Sequence, residues 1–461
     1  MTAPAETVAM PQATPTVGAG PEHPTTPGYR AWLMTMLVTV YASNFVDRTI
    51  VNILQQPIKE ELQLQDWQLG LLGGTTFAVF YTFLGIYVAR LAERGNRITI
   101  LTICIIAWSA FTAMCASVTS FFQLLVLRVG VAVGEAGATP TSHSLISDHF
   151  EPAKRPGAIA IFATGNTLGN IFGALIGAFV GQAWGWRWAF IVAGAPGLIL
   201  AAVTFFTLRE PRKLATKTMA EDDVPSFGQV ARLLLGKPTF RQLAIGAALM
   251  LFGSYAVIHF VTSHLMRTFD LPLRDAGLIG GVGTGLMLGA GTLIGGFGAQ
   301  YLARRDRRWM IWVIAVSMAI AGPLCAAAFL SGSVAVTAVC SLGLMICLGV
   351  FQGPLFSTTH SLVTPRMRAT SSAVMLWTIT LFGLGLGPLG LGLASDLIAA
   401  NMFGGGDFVT TCQSGASLDP RCQQASAEGL RLALASISLI FAWASVHFFL
   451  AARTVRADVT D

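Results

Sequence analysis

The chain has 461 residues, 54% hydrophobic and only 11% charged, against the ~25% charged residues usual in soluble domains. Its formal charge of +6 would suit nucleic acid if the basic residues clustered; they are instead spread between long apolar runs, so no nucleic-acid partner is needed. Those runs of about 20 residues each suffice to cross ~30 Å of hydrocarbon, and they exclude both a soluble domain and a barrel, whose strands would alternate over ~10 residues.

Residues 1–28 are rich in Pro, Thr and Ala with no basic stretch before an apolar core, so they read as a disordered tail and not as a signal peptide. Twelve membrane spans follow, roughly at 31–54, 68–90, 98–117, 121–147, 156–182, 187–208, 239–266, 275–302, 309–330, 333–361, 370–398 and 430–452, by length and hydropathy. This predicts an all-α integral membrane protein with an amino-terminal six-helix bundle over 29–208 and a second over 239–452. Between them lies a polar, basic linker, 209–238, whose "PSFGQVARLLL" suits a short amphipathic surface helix; 453–461 is a short tail. Most of the Lys and Arg fall on the side of both termini, the outer exceptions being Lys59, Arg187, Arg267, Arg274, Arg421 and Arg431. That asymmetry puts both termini in the cytoplasm of a multi-pass inner (plasma) membrane protein.

The halves repeat. "GLLGG" at Gly70–Gly74 recurs as "GLIGG" at Gly277–Gly281, and Arg97 matches Arg304 at the same offset. "SHSL" at Ser142–Leu145 recurs as "THSL" at Thr359–Leu362. Parallel repeats of this kind place a transport site near the bilayer midplane, between the halves. Span five carries Gly165, Gly169, Gly173, Gly177 and Gly181, and span eight Gly277, Gly281, Gly285 and Gly289. Ridges of small residues let helices approach closely, so spans two, five, eight and eleven are expected to meet across the halves and slide. "GLGPLG" at Gly385–Gly390 has dinucleotide-site spacing, but with no strand before it a softened helix is the better reading.

Span one contains "NFVDR", with Asn44, Asp47 and Arg48 inside an apolar run. A charge there costs at least ~2.5–3.5 kcal/mol, so it needs a use. Span four adds Arg128 and Glu135 in "LRVGVAVGEAGATP"; seven residues apart, they share a helix face about 10.5 Å apart along the axis. In the repeat, Asp47 corresponds to Ser254, Arg128 to Met345 and Glu135 to Gln352. Charge confined to one half favours function over bundle stability. Asp47 and Arg48 sit about 100° apart on their helix and cannot pair. We assign Asp47 to the cavity, sharing Arg128 with Glu135, and Arg48 to snorkelling or a neighbouring helix, with a cavity role left open. His143, matched by His360, is a candidate proton relay, and His259 and His264 are candidate cavity linings.

Five of the seven Cys lie in or near spans and read as small core residues. Cys412 and Cys422 share a polar outer loop and pair if that loop faces an oxidising compartment. No metal cluster, nucleotide-binding loop or hydrolase motif is present, so neither enzyme, metal nor cofactor is expected.

"NFVDR", and "RVGVAVGEA" followed by "SLISDHFEPAKR", resemble the Spinster-type branch of the major facilitator superfamily over nearly the whole membrane region. The resemblance implies the major facilitator fold and a transporter of amphiphilic lipids, such as lysophospholipids or sphingosine phosphate. It also implies a proton-coupling and substrate group of Asp47, Arg128 and Glu135. The signature after span two of that superfamily is here "ARLAERGNR", with Glu93, Arg94 and Arg97 keeping the charges of an inner gate; its second copy has Gln300 in place of the acid.

Function then reduces to the sign of the substrate's charge. Protonating Asp47 or Glu135 would free an arginine for a phosphate or carboxylate, giving symport; a cation would compete with protons, giving antiport. The main expectation is a monomeric, proton-coupled carrier of an anionic, lipid-like substrate embedded among membrane lipids. The rivals are a proton/drug antiporter for cationic amphiphiles and a small organic-anion carrier.

Overall fold

A computed structural model describes residues 26–151, 154–210, 227–364, 367–404, 408–413 and 419–459. Residues 1–25 of the tail expected over 1–28, and most of the linker, 211–226, lie outside them, and α1 already begins at Pro27, within the expected tail. The described residues form long helices without strands. We label the spans α1 (Pro27–Leu62), α2 (66–94), α3 (Arg97–Ser117), α4 (Phe121–His149), α5 (Gly157–Trp184) and α6 (Trp186–Thr207). The second half has α7 (Pro238–Phe269), α8 (Leu273–Ala303), α9 (Trp309–Leu330), α10 (Val334–Ser361), α11 (Thr370–Phe403) and α12 (Pro420–Asp458). Among the described residues, all spans but α1 and α2 are apolar enough to cross a membrane by length and composition alone; α1 carries Asp47 and Arg48 within its apolar run.

Local chemistry sets the ends. Thr26, Asn96, Ser120 and Asp419 cap α1, α3, α4 and α12 by accepting backbone N–H groups, which satisfies donors that have no helical partner. Gly185 turns the chain from α5 into α6 at φ 87°, a conformation that costs an L side chain energy. The linker helix Phe227–Gly236 buries Val230 and Leu234 while Phe227, Leu233 and Leu235 stay exposed. It packs on α7 and α11, which ties it to the second bundle.

Four helices contain a π-helical turn: α2 at Leu71–Thr75, α5 at Ile176–Val180, α8 at Leu278–Gly283 and α11 at Thr380–Leu384. Such turns occur at functional sites and bend helices. They fall in the spans that meet between the halves.

The glycine ridges are used differently from expectation. The α5 ridge faces α1 in its own bundle: a side chain at Gly173 would come within 2.9 Å of the Val46 carbonyl, and one at Gly177 within 2.9 Å of Ile53. Across the halves, Gly277 and Gly281 of α8 lie against Ala178 and Ala174 of α5. In the same way Gly74 of α2 approaches the Leu384 carbonyl of α11. Alanines, a residue class the spacing argument passed over, are the α5 residues that meet the α8 glycines.

Within each bundle the first and last helices are tied at their described ends: the Arg209 N–H donates to the Tyr29 hydroxyl and the Thr239 N–H to Asp458. Cys412 and Cys422 form a disulfide. We expect intact protein to take up no alkylating reagent at these two positions until reductant is added. Mass mapping checks this; labelling of both without reductant would contradict it.

Candidate functional site

The charged residues of α1 and α4 converge inside the first bundle. Asn44, Asp47, Arg128 and Glu135 are each no more than 2% exposed. Arg48 Nε donates to Glu135 Oε2 at 2.7 Å, with the Arg48 side chain 24% exposed. Its guanidinium also lies over three aromatic rings, with its carbon 4.2 Å from the centroid of Phe77, 4.8 Å from Tyr81 and 5.0 Å from Phe45. A buried carboxylate is tolerable only with such a partner, because desolvation otherwise outweighs the gain.

This reverses two sequence assignments. Asp47 is sealed inside the bundle instead of facing a cavity, and Arg128 Nη1 reaches its backbone carbonyl at 3.4 Å. Neither carboxylate oxygen of Asp47, nor Arg128 Nε, has a hydrogen-bond partner among the described residues. Arg48 packs against neighbouring helices, one of the two readings given to it, and it, not Arg128, makes the ion pair with Glu135. The roughly 100° between neighbouring helical positions separates Asp47 from Arg48 as expected, but the helix is rotated so that Arg48 takes the more open direction.

The histidines scatter. His143 packs edge-on against Phe162 at 5.3 Å, and no hydrogen bond joins it to Glu135. His264 lies among Phe329, Phe269 and Thr268 inside the second bundle. His259 Nε2 is 3.1 Å from the Leu69 carbonyl of the other bundle, so it lies between the halves and binds backbone.

The inner-gate cluster is only partly visible: the Glu93 and Arg94 side chains lie outside the described residues. Arg97 is fully buried, with Nη1 2.7 Å from Asp148 and its backbone N–H donating to Glu210 at 2.6 Å. Asp148 belongs to the same bundle and Glu210 to the start of the linker, so here Arg97 fastens that start to α3.

A second ionic constellation lies near the Cys412–Cys422 disulfide. Arg267 of α7 donates to both carboxylate oxygens of Asp66 at 2.8 Å and to Gln56 at 2.6 Å. Lys59 pairs with Asp66 at 2.6 Å. Ser395 of α11 donates to Asp66 at 2.7 Å, and Asp396 accepts the backbone N–H groups of Asp66 and Trp67 at 3.1 and 2.8 Å. These bonds seam the two bundles shut beneath a cavity of about 520 Å³ lined by residues such as Gln63, Asp270, Phe408 and Cys412. Sequence reading missed this seam, although Lys59 and Arg267 already stood out as basic residues on the outer side.

Residues 37–388 match the model of the Major Facilitator Superfamily. An "MFS-type efflux pump" of Mycolicibacterium smegmatis is 30% identical over 434 residues, 94% of this chain and 95% of that protein. A "Probable L-galactonate transporter" of Escherichia coli is 25% identical over 363 residues, 74% of this chain and 78% of that one. Among solved structures, a bacterial homologue of the human lysosomal transporter Spinster, inward-facing and unoccupied, superposes with a TM-score of 0.85 at 32% identity. The match covers 95% of this chain and all of that one. The twelve spans in two bundles are thus the major facilitator fold, and the protein is a transporter and not an enzyme. The chain belongs to the Major Facilitator Superfamily.

Proposed function

We propose that the protein is a proton-coupled secondary transporter that moves an amphiphilic, anionic, lipid-like substrate by alternating access. The carrying observation is the Arg48–Glu135 ion pair, partly open where the bundles meet, in a half whose repeat partner has Gln352 in place of the acid. A proton on Glu135 would release the Arg48 guanidinium for a phosphate or carboxylate, and such forks bind those groups in two-point fashion. Anion and proton then bind together. Asp47 and Arg128 form the buried remainder of one titrating unit, whose apparent pKa values belong to the group. Lysophospholipid-type head groups have the required charge, and the Spinster-like fold supports that class. The small-anion reading keeps a place because of the L-galactonate relative.

In this reading the termini are cytoplasmic, the membrane is the inner one, the carrier works as a monomer, and the seam around Asp66 is the closed outer gate. The 29–208 and 239–452 bundles then rock about it, joined by the 209–238 linker. The test is flux into proteoliposomes of an anionic lysolipid and of a cationic dye, each with and without a pH gradient. Acid outside should drive the anion inward several-fold and leave the dye unmoved; driven dye with a passive anion would refute the reading.

The inner cluster gives a second expectation. Glu93, Arg94 and Arg97 bridge to the second bundle only when the outer gate opens. Arg94→Ala should therefore favour the inward-open state by ~1–3 kcal/mol, the usual coupling range. Cysteine accessibility from each side reads it, and an unchanged pattern counts against the lock.

A further inference from the structure

We propose that Arg48 is a tethered cation occupying a site built for one, and that it thereby sets which sign of charge the cavity accepts. The inference rests on the reading of Arg48 and Glu135 as the substrate site. Phe45, Phe77 and Tyr81 surround the guanidinium at 5.0, 4.2 and 4.8 Å, and Glu135 closes the remaining side at 2.7 Å. Aromatic faces around a carboxylate are the composition by which proteins hold quaternary ammonium groups. The cage does not depend on Arg48 for its shape. Phe45 is held edge-on by Tyr41 at 5.0 Å, and Phe77 is stacked on Tyr81 at 5.2 Å. Phe77 and Glu135 are buried, at 2% and 0% exposed.

While Arg48 fills the cage, a free cation must compete with a tethered one at high effective concentration, and the outward side of the guanidinium offers an anion its counter-charge. Truncate Arg48 and the same place presents three ring faces around an unpaired carboxylate. A weakly hydrated organic cation with an alkyl tail fits that description; a strongly hydrated metal ion does not.

The experiment uses the full chain in neutral detergent at pH 8, with octyltrimethylammonium and octyl phosphate as probes and calorimetric titration as the readout. Wild type should bind the phosphate and refuse the ammonium. Arg48→Ala should bind the ammonium about tenfold or more tighter than wild type, the scale of a cation–π cage, and lose the phosphate. Arg48→Lys, which keeps a tethered cation, should show no such gain. Phe77→Leu added to Arg48→Ala should abolish it. Arg48→Met, which keeps the bulk, is the second variant should the alanine form unfold on a thermal ramp. The proposal is overturned if folded Arg48→Ala and Arg48→Met gain nothing, if wild type binds ammonium as tightly as they do, or if the gain survives Phe77→Leu. Its failure is separable from that of the proposed function, because proton-driven anion flux by wild type is measured independently of the charge swap.

Discussion

Arg267→Ala should open the outer seam without unfolding the protein. The substitution removes the two bonds from α7 to Asp66 and the one to Gln56. Asp66 keeps Lys59 at 2.6 Å from its own half, so no buried carboxylate is left alone. What is lost is mainly coupling between bundles, and a shift of ~1–3 kcal/mol toward the outer-open state follows. Asp66→Ala is the harsher change. It takes from the largely buried Arg267 and the partly exposed Lys59 their direct carboxylate partner, and breaking such a pair costs up to about 3–5 kcal/mol. Spin labels at Trp184 and Met402, exposed near this face on opposite bundles, should report longer distances in Arg267→Ala. A distribution identical to that of wild type would show that the seam does not hold the gate.

The second large effect concerns the buried acids. Asp47→Asn and Glu135→Gln each imitate a protonated carboxyl, so both should fold and both should lose proton-driven flux by about 10²-fold or more, the low end of the ~10²–10⁴ range of positioned proton-transfer groups. Exchange without a gradient should survive in each. Arg128→Ala should do worse, because Arg128 is 2% exposed beside Asp47; removing a buried cation costs about 3–5 kcal/mol of stability. Arg48→Ala, which a merely snorkelling residue would tolerate, should abolish anion uptake, since Arg48 is the partner of Glu135. Flux in proteoliposomes and thermal unfolding of each variant separate transport from folding. Wild-type rate and pH dependence in Asp47→Asn would remove the proton site.

The architecture was legible because the spans are written in hydropathy and small-residue spacing, and these act locally. The set of charged residues was legible for a similar reason: an ionisable group in an apolar run has no bland explanation. Who pairs with whom was not. Periodicity fixes the angle between Asp47 and Arg48 but not the rotation of α1 against α4, so Asp47 is buried and Arg48 is the partly exposed one. The aromatic cage was hidden because Phe45, Phe77 and Tyr81 look like ordinary membrane residues until α1 and α2 are docked. The outer seam joins Asp66 to Arg267 and Ser395. Such long-range pairing is set by how two bundles meet, and only the misplaced basic residues hinted at it.

The central claim is that a proton and an anion enter the same site together. Its most direct test is the pH of a weakly buffered solution of detergent-solubilised protein on addition of octyl phosphate, above the ligand's own titration range. Wild type should take up protons on binding, with Glu135→Gln showing reduced or no uptake at matched occupancy. Binding with no proton uptake, or with proton release, would contradict the account.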